Sequence, residues 1–236
     1  MNPNDIHLLA KLSDGNVCLS GGAKGADALW GEEAAKLGHQ VIHWSFDGHK
    51  SYGTPEQTVC LDESILKEAD IHLEEAKLSL KRSIPYGKPW IANLLRRNWF
   101  QVQHAASVYA VGSLNEHAVI YKDPYAAVER FRIGPDKKHN RMGVNGGTAW
   151  ACQMYLDQYL EKDMEDGLTD EEWEFNLVLY EQNTREYLRF NPHTSAWHRP
   201  LDPRIPPKGI YAAIGSRDLL PNGEEFIRSL MNASST

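Results

Sequence analysis

Eight residues, Ser20-Gly21-Gly22-Ala23-Lys24-Gly25-Ala26-Asp27, interrupt the passage from a short apolar run, Asn16-Val17-Cys18-Leu19, to a stretch of helical composition that stops at Gly38. A glycine turn joining a strand to a helix confines the chain to few architectures, because the strand that follows the helix must find a place beside the first. That strand is legible in Gln40-Val41-Ile42-His43-Trp44-Ser45-Phe46, which is β-branched and aromatic. The opening forty-odd residues therefore read as a β-α-β unit with parallel pairing. The expected fold class is α/β: a Rossmann-like, mostly parallel sheet with helices on both faces.

The remaining segments extend this pattern. Thr54 to about Leu80 reads as helix, with Thr54-Pro55-Glu56-Gln57 as its cap and Leu61, Ile65, Leu66 and Ala69 as its apolar stripe. A helix follows over Ile91–Trp99, then strands around Ala106–Val111 and Ala118–Tyr121, and a loop-rich stretch from Lys122 to Asn145 with a turn at Gly134-Pro135-Asp136. Gly146-Gly147-Thr148 opens a helix from Ala149 to about Leu160. Leu177–Tyr180 and Glu186–Phe190 read as a hairpin, a proline-rich connector covers about 191–208, and Gly209–Ile214 is a last core strand ahead of a helix at Glu224–Met231. One domain over residues 1–236 is expected, with an acidic helical insertion at about 157–175, where Thr169-Asp170-Glu171-Glu172 has the form of a capping box.

Composition narrows the function classes. Lys and Arg total 25 against 32 Asp and Glu, a net of −7, and Asp157 to Glu174 holds nine acids against Lys162 alone. That segment contributes −8, so the rest of the chain is nearly neutral and compatible with an anion site. No apolar stretch approaches the roughly 18 residues of a membrane span, and Met1-Asn2-Pro3-Asn4-Asp5 lacks the features of a secretory signal, so a cytoplasmic protein is expected. Cys18, Cys60 and Cys152 are odd in number and widely spaced, which fits buried, reduced thiols, and no metal-ligand spacing occurs among the ten histidines.

Three glycine turns carry the chemical signal: Ser20–Asp27, Asn145–Thr148 and Gly215-Ser216-Arg217-Asp218. In an α/β sheet such turns lie at the carboxyl ends of strands, where ligands bind. There glycine permits close approach, and the helix start offers N–H groups and a positive dipole end to an anion. Neither Gly-x-x-x-x-Gly-Lys-Ser/Thr nor Gly-x-Gly-x-x-Gly is present in the first turn. The residue types still suit a nucleotide. Lys24 and Arg217 would neutralise phosphate, Thr148 and Ser216 would hydrogen-bond it, and Asp27 or Asp218 would accept from a ribose hydroxyl. The expected ligand-binding set is Ser20, Gly21, Gly22, Lys24, Gly25, Asp27, Gly146, Gly147, Thr148, Gly215, Ser216 and Arg217. Should the site be catalytic, Asp27, Glu32 and Asp218 are the candidate acids.

At these residues the chain resembles the SLOG superfamily of Rossmann-like proteins, which includes the DprA/Smf DNA-processing proteins and the LOG cytokinin-activating enzymes. The first turn matches S/H-G-G-A-x-G-A-D nearly letter for letter, and Ile210–Asp218 looks like the family's first strand with its G-S-R turn. Arg97-Asn98 with Gln101, and Gly146-Gly147-Thr148 with Ala151, are similar to later signatures. Two departures stand out. The G-S-R strand comes last here, so the chain reads as circularly permuted, the alternative being strand exchange with a second subunit. LOG-type phosphoribohydrolases carry P-G-G-x-G-T-x-x-E, whereas this chain has Ala151 at the glutamate position.

The resemblance implies a small stand-alone, phage-type member that binds a nucleotide or nucleotide derivative such as an ADP-ribose or NAD-like molecule. It would sequester or process a signalling nucleotide, act in a host cytoplasm, form a homodimer and require no further cofactor. Two other readings stay open. One is an N-glycosidic-bond hydrolase or transferase of the phosphoribohydrolase type. The other is DprA-like single-stranded DNA binding by Lys77, Lys81, Arg82, Lys88, Arg96 and Arg97 interleaved with Trp90 and Trp99. The net charge of −7 disfavours nucleic acid as a partner, and no membrane partner is expected.

Overall fold

The structure is a computed structural model that describes residues 15–121, 142–166, 175–200 and 204–233. Nine strands form one sheet in the order β3-β2-β1-β9-β4-β6-β7-β8-β5. These are β1 (Val17–Ser20), β2 (Gln40–Phe46), β3 (Thr58–Leu61), β4 (Ser107–Gly112), β5 (Ile120–Tyr121), β6 (Leu177–Glu181), β7 (Glu186–Asn191), β8 (Ala196–His198) and β9 (Ile210–Gly215). The helices are α1 (Ala26–Lys36), α2 (Glu63–Glu68), α3 (Asp70–Leu80), α4 (Pro89–Val102), α5 (Thr148–Asp166) and α6 (Pro221–Asn232). Every pairing is parallel except those that β7 makes with β6 and β8. The fold is thus α/β with a mostly parallel mixed sheet, as the residue pattern indicates.

Strand alternation divides the core. Cys18, Val41, Tyr109, Val111, Val178, Tyr211 and Ala213 project to one face, where Leu29 and Trp30 of α1 and Phe226, Ile227 and Leu230 of α6 cover them. Neighbouring positions project the other way. Val17, Leu19, Ile42 and Trp44 meet Leu66 and Phe100, while Val108, Ala110, Leu177, Ala212 and Ile214 meet α3, α4 and α5. A sheet covered on both faces explains why its central strands are continuous apolar runs.

The C-terminal strand is central. β9 lies between β1 and β4 and runs parallel to both, with Cys18 opposite Tyr211 and Tyr109 opposite Ala213. The chain leaves β1 through α1 toward β2 on one side and leaves β4 toward β6 on the other. The β1-β9-β4 group is therefore the topological switch point of the sheet, with a crevice at its carboxyl edge.

Several expectations need correction. The helix read over Thr54–Leu80 is instead one 3₁₀ turn (Pro55–Gln57), the edge strand β3, and the two helices α2 and α3. Gln57 does accept the Thr54 N–H as a cap would. However, Thr58-Val59-Cys60-Leu61 favours a pleated edge beside β2, and helix begins only at Asp62, whose carboxylate accepts from Ser64 and Ile65 N–H at 3.0 Å each. Cys60 is exposed on that edge, contrary to the buried reading, whereas Cys18 and Cys152 are buried.

The first part of the expected acidic segment, to Asp166, is the continuation of α5, and the rest up to 174 lies outside the described residues. The connector at 191–208 contains β8, anchored by the fully buried Trp197, whose indole N–H donates to Met142 O at 2.6 Å. The Gly134-Pro135-Asp136 turn and the Thr169–Glu172 capping box lie outside the described residues. Among the described residues no helix is long and apolar enough to cross a membrane.

Candidate functional site

A cleft of about 450 Å³ opens at the carboxyl ends of β1, β9 and β4. Ala23 and Asp27 border it after β1, Gly112 and Ser113 at the end of β4, and Gly215, Ser216 and Arg217 at the end of β9. Asn145 to Thr148, at the start of α5, close one end. The long wall is a single face of α4, where Trp90, Leu94, Arg97 and Gln101 follow one another at helical spacing beside Ile91, Leu95 and Asn98. Pro89 at the first position of α4 suits a helix start, because the N–H it lacks would have had no partner inside the helix.

The three glycine turns have different physical roles. In the first, Gly25 adopts φ +95, and a Cβ there would lie 2.5 Å from Ser216 O. The absent side chain lets the Ala26 N–H donate to that same carbonyl at 3.0 Å. The first and third turns are thus bonded to each other, and the start of α1 is occupied by protein. A Cβ on Gly21 would fall 1.3 Å from Arg97 Nη1, so this glycine makes room for a guanidinium. A Cβ on Gly22 would meet Ser51 Oγ at 2.4 Å. The Ser20 hydroxyl donates to Asp27 O at 2.9 Å and is fully buried, and Lys24 is exposed and outside the cleft lining. Of that turn, Ala23 and Asp27 border the cleft, whereas Ser20, Gly21, Gly22, Lys24 and Gly25, expected in the ligand-binding set, are not in its lining.

The second turn is the open one. Nothing lies within 4 Å of a Cβ built on Gly146 or Gly147. Their carbonyls are drawn back into the protein, Gly146 O accepting from Arg82 at 3.0 Å and Gly147 O from Asn98 Nδ2 at 3.1 Å. Arg82 also donates to Val144 O at 3.1 Å. Because each peptide is trans and planar, the N–H groups of Gly147 and Thr148 point away from those anchors. The first N–H groups of a helix have no acceptor within it, and here they belong to a helix of 19 residues. Gly146, Gly147 and Thr148 all border the cleft.

At the cleft floor Arg97 Nη1 lies 3.3 Å from Asp27 Oδ2, both side chains 6% exposed. Asp27 Oδ1 accepts the Gly215 N–H at 3.0 Å, which ties the first and third turns through one carboxylate. Burial pushes the Asp27 carboxyl above its usual range against the pull of Arg97 and the Gly215 N–H, and burial lowers Arg97 against the pull of Asp27. Both directions express the desolvation that a buried pair must overcome.

Arg97 Nε and Gln101 Nε2 are buried donors with no acceptor among the described residues. Such groups are uncommon in a settled core. The positive character of this edge extends to its neighbours: His43 and His49 are both pushed down to about 4, by burial first and by Arg97 next. At the mouth, the exposed Arg217 lies over the Trp90 ring, 5.4 Å from its centroid.

Of the candidate acids, only Asp27 borders the cleft. Glu32 is on the outer side of α1, paired with Lys36 at 2.7 Å, and the exposed Asp218 lies beyond the lining, its carbonyl accepting from Gln182. Ala151, where the resembled enzymes carry glutamate, does border the cleft.

The basic and aromatic stretch weighed for DNA is largely committed elsewhere. Arg96 grips Asp70 with two bonds of 2.7 and 2.9 Å, Lys77 pairs with Glu74 at 2.6 Å, and Trp99 stacks on His72 at 3.5 Å. Sequence reasoning left Asn145, Ser113 and the α4 wall out of the site. The wall had a signal, the polar residues Arg97, Asn98 and Gln101 within an otherwise apolar helix face. Comparison with family models, curated proteins and solved structures finds no match for this chain.

Proposed function

We propose that the protein binds a phosphate-bearing nucleotide or nucleotide derivative in the cleft at the carboxyl edge of β1, β9 and β4. The observation that carries this reading is the open α5 start, where Gly146 and Gly147 present unobstructed backbone to the cleft that Arg97 and Arg217 also line. Phosphate fits there by charge and by hydrogen bonding, since helix N–H groups and guanidinium are both donors. Pockets of a few hundred cubic ångströms lined by apolar side chains with a few convergent polar groups suit small molecules of this class.

The likeness to SLOG proteins supports an ADP-ribose or NAD-like ligand and a role in sequestering or processing a signalling nucleotide. The central place of β9 beside β1 supports reading the chain as a permuted relative of that family, in which a homodimer is expected.

Holding is favoured over cleaving. Among the described residues Asp27 is the one carboxylate in the cleft lining, and both its oxygens are engaged, by Arg97 and by the Gly215 N–H. A general acid or base must be within reach of the proton it moves and free to move it.

Thermal unfolding of the folded protein in the presence of nucleoside monophosphates, ADP-ribose, NAD, ribose 5-phosphate and inorganic phosphate tests the reading. A ligand present at a hundred times its Kd should raise the midpoint by about 5 °C or more. No shift with any member of the panel would overturn it.

A further inference from the structure

Trp90 is the largest exposed aromatic side chain among the described residues, at 45% exposure, and it stands at the rim of the cleft. Exposed aromatics are ordinary singly, but this one is placed and braced. It occupies the first turn of α4 directly after Pro89, so its backbone is fixed by helix geometry. Phe46, only 3% exposed, meets its ring at 6.4 Å and 66°, and His49 stacks on Phe46 in turn at 5.1 Å. The Arg217 guanidinium lies across the ring at 5.4 Å. After it, Ile91, Leu94 and Leu95 continue the α4 lining of the cleft with apolar side chains.

A lining that joins an exposed aromatic ring and apolar side chains to the open α5 start offers more than a bare phosphate or sugar phosphate would use. Resting on the nucleotide reading above, we propose that Trp90 is the specificity-determining platform for the aromatic base of the ligand, and that Arg217 is its resting cover. A guanidinium and a nucleobase are both flat groups that stack on an indole face. On binding, the base takes the Trp90 face and Arg217 moves off it toward the phosphate. The ligand class is thereby narrowed to molecules that carry both a base and a phosphate, in contrast to phosphosugars and inorganic anions.

Isothermal titration of the four nucleoside 5′-monophosphates and of ribose 5-phosphate tests this with the full chain. The tightest monophosphate should bind at least about ten-fold more strongly than ribose 5-phosphate, the lower part of the range that base stacking on an aromatic supplies. Trp90→Ala should reduce that ratio to less than about three-fold without weakening ribose 5-phosphate, since it only frees Arg217 for the phosphate, and Trp90→Phe should retain most of the ratio. Because Trp90 is exposed, both variants are expected to fold, and a thermal midpoint matching the wild type verifies this.

Equal affinity for monophosphates and ribose 5-phosphate in the wild type overturns the inference and leaves the nucleotide reading in place. So does a parallel loss of both affinities in Trp90→Ala. Absence of binding by every probe overturns both.

Discussion

Arg97 Nη1 stands 3.3 Å from Asp27 Oδ2, inside the space that a side chain at residue 21 would fill, since a Cβ on Gly21 falls 1.3 Å from that nitrogen. The glycine, the acid and the arginine are one device, drawn from β1's turn, the first turn of α1 and the wall helix α4. Through Asp27 Oδ1 and the Gly215 N–H the device also fixes the turn after β9.

Breaking that pair from either side should therefore be costly. Gly21→Ala displaces the guanidinium, and Asp27→Leu or Arg97→Met leaves a buried charge alone. Urea denaturation should show a loss of about 3–5 kcal/mol for either single charge removal. The double variant Asp27→Leu/Arg97→Met should lose less than the sum of the two singles, with a coupling of about 0.5–3 kcal/mol. Additive losses would mean that the two residues do not act as a pair.

Lys24 and Arg217 separate the linear motif from the folded site. Lys24 belongs to the glycine motif but is exposed and outside the cleft lining, whereas Arg217 borders the cleft. Lys24→Ala should leave nucleotide affinity within about two-fold of wild type. Arg217→Ala should weaken it by about ten-fold or more, the scale of one lost charge-assisted hydrogen bond. Titration calorimetry on the two variants reads the contrast directly, and equal losses would return Lys24 to the site.

Much of this arrangement was legible in the residues, and what was not has identifiable causes. β1, α1, β2 and β9 were readable because doubly covered parallel strands are apolar throughout and end in glycine turns. β3 was hidden by its brevity, four residues flanked by helix-compatible neighbours. Asp62, the acid that caps α2, was the available marker of the boundary. Within the site, motif reading located all three turns but assigned the same role to each. Gly25 and Gly146 look alike in sequence and both take positive φ, yet one opposes the Ser216 carbonyl and the other opens on the cleft. Such a distinction depends on what a distant strand brings alongside, and no local pattern encodes it.

Acid should destabilise the protein well before its ordinary carboxylates titrate. His43 and His49 are pushed down to about 4, and His39, His72 and His198 are lowered as well, burial being the leading cause in each. Between pH 6.5 and about 4 the unfolded chain consequently binds more protons than the folded one, so stability falls as pH falls. For the fully buried His43 alone the contribution is about 3 kcal/mol. Asp157, raised to about 6 by burial, opposes this trend because its folded form takes up a proton first. The urea midpoint should drop from pH 7 to pH 5, and more steeply in Asp157→Asn, where one opposing group is gone and the raised Asp27 carboxyl remains. A midpoint that rises over that interval would contradict the histidine account.

The most direct test of the central claim places a carboxylate at the start of α5. Gly147 immediately precedes Thr148, its missing side chain faces open space, and aspartate at a helix N-cap is favourable, so Gly147→Asp should keep or raise the unfolding midpoint. The same carboxylate would accept the N–H groups assigned to phosphate and repel the ligand's charge. Calorimetric titration of wild type and Gly147→Asp with a nucleoside 5′-monophosphate should therefore show clear binding in the first and at least a ten-fold weaker affinity in the second. Undiminished affinity in a folded Gly147→Asp, or no binding by the folded wild type, would contradict the assignment of this cleft as a nucleotide site.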